Sequence, residues 1–409
     1  MEICIIGGGL SGLSAAYSLS RNHSVNLIEK DAVLGGCLSS YSRGHYFIEK
    51  YYHHCFPSDT TLFRLLAELD LSQNLEWRSG STGYYADAKI YPLTSPSDII
   101  RYPFLTFADK AKLAFLTIRS KRMDTASLDD ITAKEFILRQ TGKSAYESFF
   151  EPLLRSKFGA RSDEVSAAWL ISRIAIRSHR GISGERLGYL NGGFQRLIDV
   201  LEAAARKNQC TISKGTEVTS LIRKNGSWQV NGTPYDAVLA TIPVAETSRL
   251  GGPAIKGPQY QGAACMALGL ERDVTEGVYW VNMKDPAPYG AVISHTNFIP
   301  KDRYGEHIVY LASYFTGAPA DNLEEKMLSD FRTRFQVAEN EIHWHDLAID
   351  PWAGPIYVTG SRKTIPPYEQ NGLYLAGMFS EPNYPERSIE GSIRAGLEAA
   401  QRILSTDTI

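Results

Sequence analysis

The stretch "EKYYHHCFPSD", Glu49 to Asp59, crowds two tyrosines, two histidines and a cysteine together. Such residues serve metal ligation, proton transfer or the lining of a cofactor pocket. Metal ligation fits the spacing worst. His53 and His54 are neighbours, so a strand sends them to opposite faces and a helix parts them by about 100°. Zinc sites use spacings such as H-E-x-x-H or C-x-x-C, and neither occurs here. His343 and His345 in "IHWHD" would share a strand face, but no third ligand accompanies them, so no metal is expected. Proton transfer stays open, because an imidazole that titrates near neutrality can accept a proton. The competing role for His53 is a polar residue that holds its own loop.

What the cluster faces is set by the chain before it. "EICIIGGGLSGLSAAYSLSRNHSVNLIEKD" reads as a buried strand from Glu2 to Ile6, a glycine turn, a helix, and a second strand ending at Glu29. Gly7, Gly9 and Gly12 form G-x-G-x-x-G, with an acid about twenty residues further on. Gly7 permits the tight turn, Gly9 lets the backbone approach a pyrophosphate, and Gly12 lets the helix pack close to the strand. The helix N-terminus offers free N–H groups and a positive dipole end to that anion. Glu29 can accept hydrogen bonds from a ribose. A glycine turn alone is a weak sign, but strand, helix and acid agree here. Gly7, Gly8, Gly9, Leu10, Ser11, Gly12, Glu29 and Lys30 are therefore the expected dinucleotide contacts.

Gly35 and Gly36 in "KDAVLGGCLSS" follow shortly after the acid and let the chain fold back over the dinucleotide. With this second glycine pair the chain resembles the flavin amine oxidase and protoporphyrinogen oxidase superfamily, which includes phytoene desaturases and, more distantly, UDP-galactopyranose mutase. The resemblance implies FAD. The family's second motif is typically two glycines and an arginine; here Cys37 takes the arginine's place, with Leu38 beside it. The family's next segment ends in an acid, a glycine and often a histidine beside the isoalloxazine. In "GHYFIEKYYHH" Glu49 holds the acidic position, Tyr51 stands in for the glycine and His53 falls at the histidine. The resemblance thus puts Tyr52, His53 and His54 in the flavin cavity as the catalytic candidates.

Two further regions match. "GLYLAGMFSEPNYPERSIEGSIRAGLEAAQRIL" reads as a strand ending at Gly377 and a helix with Ser388 as N-cap. In the family this strand nears the pyrophosphate, and the helix start, here Ser388 and Ile389, points at the flavin pyrimidine edge. Met378 replaces a frequent arginine. "CTISKGTEVTSLI" resembles the strand that places backbone near adenine, with Val218 at the matching position, and "YDAVLATIP" the strand that returns to the nucleotide domain. Covalently flavinylated relatives carry a cysteine in the C-terminal segment, and this chain has none there, so non-covalent FAD is expected.

These motifs need a scaffold. At 409 residues the chain exceeds one ordinary core. The fold class read from it is α/β: a Rossmann-like FAD-binding domain from 1–76, 181–256 and 353–409, with an inserted α+β substrate domain from 77–180 and 257–352. In the insertions "STGYYADAKIYPL" reads as a hairpin, "DKAKLAFLTIRSKRM" and "TAKEFILRQTG" as helices, and "GVYWVNM", "GAVISHTNFI" and "HIVYLASYF" as strands of an antiparallel sheet. "RYPFLTFADKAKLAFLTIRSKR" mixes phenylalanine and leucine with Arg101, Lys110, Lys112, Arg119, Lys121 and Arg122. In relatives with lipophilic substrates this region can rest on a membrane; the commoner arrangement is an amphipathic helix packed on its own domain with a solvated basic face.

The formal net charge of −2 gives no basic field for nucleic acid. No apolar run suits a bilayer span, the N-terminus does not read as a signal peptide, and five scattered cysteines suggest reduced thiols, so the expected location is cytoplasmic. Nothing in the sequence sets an oligomeric state. Arg155 and Lys157 could hold a substrate carboxylate or phosphate, and Trp352, Tyr357 and Tyr384 could form an aromatic wall. The resemblance implies an FAD-dependent oxidoreductase that removes two electrons from a C–N or C–C bond of a small molecule. The alternatives are a non-redox flavoenzyme resembling UDP-galactopyranose mutase, acting on a sugar nucleotide, and a flavin-binding protein without catalysis.

Overall fold

The computed structural model describes residues 1–177, 184–224 and 226–406. It begins with the strand β1 (Glu2–Ile6), the glycine turn, the helix α1 (Leu10–Leu19) and the strand β2 (Ser24–Ile28). Ile3, Cys4, Ile5 and Ile6 are all buried, as a central parallel strand covered on both faces requires. β1 pairs in parallel with β2 on one side and with Ala237–Ala240 on the other. Leu373–Leu375 and Thr211–Ser213 extend this sheet in parallel, and the short Glu369–Gln370 closes one edge antiparallel, giving six strands. The C-terminal helix Ile389–Thr406 packs on α1 so closely that a Cβ at Gly396 would lie 2.2 Å from the Ser11 carbonyl oxygen.

The second sheet has seven strands, in the order Ile342–Pro355, Tyr260–Leu270, His307–Phe315, Ala291–Ser294, Trp280–Met283, Thr82–Ala86 and Lys89–Pro92. The expected hairpin is present, and Asp87 and Ala88 turn it with φ of 50° and 56°. The sheet is not wholly antiparallel: Thr82–Ala86 pairs in parallel with Trp280–Met283. These strands lie far apart in sequence, so no tight turn dictates their direction. Helices Phe107–Ser120, Ala133–Thr141, Glu151–Phe158 and Ala167–Arg177 gather around Phe136, Ile137, Leu154, Phe158 and Trp169.

The "CTISKGTEVTSLI" segment is not one strand. Thr211–Ser213 ends in a turn at Gly215, whose φ is 65°, and Leu221–Lys224 belongs to a separate three-stranded meander. Between them the N–H groups of Gly215 and Thr216 donate to the carbonyls of Asp31 and Glu29, so the chain crosses the end of β2 instead of continuing the ladder. Val218 sits in this crossing. Of the segment limits read from sequence, Ile342–Pro355 runs past 352 in one strand, and the limit at 180 lies outside the described residues. No helix among the described residues is long and apolar enough to cross a membrane.

Candidate functional site

A cavity of about 1090 Å³ is bounded by both sheets, the crossing at Val218, the helices Glu151–Phe158 and Ala167–Arg177, and the start of the C-terminal helix. Its volume is at the upper end of what a single small ligand fills.

The glycine turn forms one end. Gly7 has a φ of 105°, open only to glycine at low cost. The Gly35 N–H donates to the Gly8 carbonyl at 2.9 Å, so the two glycine segments are joined through their backbones. A Cβ at Gly9 would meet nothing within 4 Å and would occupy cavity space. No side chain caps α1, and its first turn carries no acid. A bare backbone cradle at an uncapped helix N-terminus suits a pyrophosphate. Glu29 is buried; its carboxylate accepts from the N–H groups of Gly8 at 2.6 Å and Asp31 at 2.8 Å, which fixes it at the cavity wall.

Leu10, Ser11, Lys30, Gly35, Gly36, Cys37, Leu38, Val218, Gly377, Met378, Ser388 and Ile389 all line the same cavity. Gly8 and Gly12 do not; they stand behind the turn. A Cβ at Gly8 would collide with Leu34 at 2.5 Å, and one at Gly12 with the Gly7 carbonyl oxygen at 2.0 Å, so both glycines serve close packing. Ser388 is the N-cap expected: its hydroxyl accepts from the Gly391 N–H at 2.9 Å.

Tyr52, His53 and His54 also line the cavity. The hydroxyls of Tyr52 and Tyr314 are 2.9 Å apart, and the Tyr52 ring meets Trp280 edge-on. His53 Nδ1 lies 2.6 Å from the Tyr51 carbonyl, which assigns the proton to Nδ1 and leaves Nε2 as an acceptor. Burial, helped by the Arg387 cation, lowers its pKa to about 4. His53 is therefore an uncharged imidazole and a weak base, which weighs against the proton-acceptor role left open by the sequence. His54 Nδ1 is 3.1 Å from the Tyr279 hydroxyl.

Two neighbours in the cluster face elsewhere. Cys55 is buried and exchanges backbone hydrogen bonds with Gly188. Glu49, despite its motif position, points away from the cavity: it accepts from the Tyr189 hydroxyl at 2.7 Å and the Phe194 N–H at 2.6 Å. Burial raises its pKa. His343 lies between Glu306 and Glu271, and His345 pairs with Glu324; neither lines the cavity. No metal-binding group of three side chains occurs among the described residues.

Cys37 donates its thiol to Asp350 at 3.2 Å; burial and then Asp350 push its pKa far up, so it stays a thiol. The cations lie further along the wall. Lys157, one of two basic candidates from sequence, faces the cavity, whereas Arg155 is exposed. Glu386 Oε1 accepts from Lys157 Nζ and from Arg173 Nη1, each at 3.0 Å. Burial lowers the Lys157 pKa to about 7, against the pull of Glu386. Burial also opposes the Glu386 charge, but Lys157, Arg173 and Arg387 hold its carboxyl at about 2. Sequence reading passed over Arg173, Glu386 and Arg387. The signal was available for the last two: a charged pair directly before the N-cap of a helix already assigned to the cofactor. Trp352 and Tyr384 line the cavity, while Tyr357 is buried behind it, donating to the Asn383 carbonyl at 2.5 Å.

The family model for flavin-containing amine oxidoreductases matches residues 10–404. The coproporphyrinogen III oxidase of Staphylococcus aureus is 24% identical over 283 residues, which is 59% of this chain and 60% of that protein. The match thus spans about three fifths of that relative's length. Among solved structures, an oxidoreductase from Methanosarcina mazei superposes with a TM-score of 0.75 at 19% identity, covering 98% of this chain and 100% of that one. A reduced UDP-galactopyranose mutase gives 0.74 at 16% identity, covering 100% and 94%. The two structures share the fold. With the family model matched along nearly its whole length, the chain belongs to the flavin-containing amine oxidoreductases.

Proposed function

We propose that the protein is an FAD-dependent oxidoreductase that holds FAD non-covalently and removes two electrons from a C–N or C–C bond of a small organic molecule. One observation carries this reading: the glycine turn, Glu29, the second glycine pair and the start of the C-terminal helix line one end of a cavity whose wall also carries Tyr52, His53 and His54. A pyrophosphate cradle and a ribose-binding acid favour FAD over a flavin without adenosine. The Cys37 thiol donates to Asp350 and is held protonated, so it offers no nucleophile for a covalent link. We further assign the six-stranded sheet to a nucleotide domain and the seven-stranded sheet with its helices to a substrate domain, near the limits read from sequence.

Bound FAD supplies the two-electron acceptor. The chain's part is positioning. The Ser388-capped helix directs its positive end at the cavity, where it favours negative charge. Tyr52, Tyr314 and Trp280 form an aromatic wall that limits water. His53 offers Nε2 as a hydrogen-bond acceptor to the substrate.

The segment around Phe107–Ser120 supports peripheral contact with an anionic membrane surface. Ile100, Phe107, Phe115 and Ile118 are exposed, with Arg101, Lys112, Arg119, Lys121 and Arg122 exposed beside them. Packing on the domain accounts for buried Leu116, but not for that outward apolar stripe.

Purified protein should carry a flavin spectrum and release intact FAD on heat denaturation. Anaerobic mixing with amines, porphyrinogens and polyenes should bleach it with one class. A colourless protein that takes up no FAD would falsify the reading. Turnover of a sugar nucleotide only after dithionite reduction would replace it with the mutase type.

A further inference from the structure

Lys157, Arg173 and Arg387 reach the cavity from three separate places in the chain: the helix Glu151–Phe158, the helix Ala167–Arg177 and the segment before the C-terminal helix. Trp169 steadies two of them, with Lys157 Nζ 5.2 Å and the Arg173 guanidinium carbon 5.6 Å from its ring centroid. The carboxylates along this wall are already engaged. Glu386 spends one oxygen on both Lys157 and Arg173. Asp350 accepts from the Cys37 thiol and from the Trp352 N–H at 2.8 Å. With Lys157 protonated, three cations stand against these two carboxylates and leave one positive charge over.

Arg387 is the surplus group. It makes no hydrogen bond or ion pair among the described residues, although a guanidinium has five donors to satisfy. Its place is built for it: a Cβ at Gly354 would lie 2.4 Å from Arg387 Nε, so only glycine lets the guanidinium lie on that strand. Arg387 is only half-buried and its nitrogens keep accessible surface at the cavity wall, where an anion can meet them.

We propose that Lys157, Arg173 and Arg387 bind a carboxylate or phosphate group of the substrate, so that the enzyme acts on an acidic small molecule and not on a simple amine. This rests on the reading that FAD and substrate share the cavity. An ammonium group would meet a field of its own sign. The second oxygen of Glu386 is buried and without a partner among the described residues.

The test is calorimetric titration of FAD-loaded protein with inorganic phosphate, propionate and n-butylamine at fixed ionic strength, with the flavin absorption recorded in parallel. One or both anions should bind saturably and perturb the flavin spectrum, and their relative affinity tells phosphate from carboxylate. n-Butylamine should do neither. Lys157→Met and Arg173→Met should each weaken the anion at least about tenfold with FAD content unchanged, and Arg387→Met should abolish its binding. Saturable n-butylamine binding without either anion, or anion affinity unchanged in all three variants, overturns the proposal. Loss of FAD from Arg387→Met while Lys157→Met and Arg173→Met keep both FAD and anion affinity would reassign Arg387 to the cofactor and overturn it as well. Failure of the protein to take up FAD would instead sink the flavin reading, since calorimetry still registers the anions.

Discussion

At the scale of single residues, His53 carries the sharpest prediction. Its pKa of about 4 lies below the ordinary 6.5, so the folded protein prefers it neutral. Between pH 6.5 and 4 the unfolded chain therefore binds more protons at this residue, and its contribution to stability is lost as pH falls through that window. Urea midpoints of wild type and His53→Gln should converge as pH drops from 6.5 to 4 and stay parallel above 6.5. The rate of flavin reduction should show no His53 limb between pH 6 and 8. His53→Ala should keep FAD while slowing reduction about tenfold, the worth of one hydrogen bond; an unchanged rate would leave His53 a loop anchor. His53 lines the cavity, and that position was implied by the family resemblance. Its charge state was not, because burial and the approach of Arg387 are tertiary facts. Glu49 shows the same limit: its motif position was implied by the resemblance, while its orientation is fixed by Tyr189 and Phe194 in a distant segment.

At the scale of elements, the glycine turn separates ligand space from packing space. Gly9→Ala in FAD-free protein should change stability by no more than about 0.5 kcal/mol, since its Cβ meets nothing within 4 Å. It should nonetheless cut FAD affinity, because the methyl group takes cofactor room. Gly12→Ala should cost at least about 1–3 kcal/mol, since helix and turn must move apart. Denaturant melts with FAD titration check both, and a Gly9→Ala protein with normal FAD affinity would undo the cradle assignment. The Phe107–Ser120 helix can be tested by flotation with vesicles containing anionic lipid. Wild type should float at low salt, and a Phe107→Ser, Phe115→Ser, Ile118→Ser variant should not. This helix was predicted from composition. Its outward apolar stripe was not, because periodicity reveals that a face is apolar but not which way it turns. The crossing at Val218 was read as strand for a related reason: its β-branched residues favour a ladder, and backbone bonds to Asp31 and Glu29 prevail.

At the scale of the molecule, the central sheet joins distant stretches of chain. Leu373–Leu375 pairs with Ala237–Ala240, which pairs with β1, and α1 is covered by the C-terminal helix. Deleting residues 370–409 should therefore abolish FAD binding even though the whole G-x-G-x-x-G unit remains, as absorbance of the purified fragment would show. This discontinuous layout was legible because each returning segment carries its own strand and turn signals. The mixed direction of the second sheet was not, because pairing between the two insertions leaves no local trace. The interleaving also has a kinetic meaning. Such long-range pairings raise contact order and slow folding. A chain emerging from the ribosome displays its dinucleotide fingerprint before both insertions, yet completes the pocket wall only when the helix Ile389–Thr406 docks. Cofactor loading should thus be a late event, and the fraction of molecules carrying flavin should report how many chains finished folding.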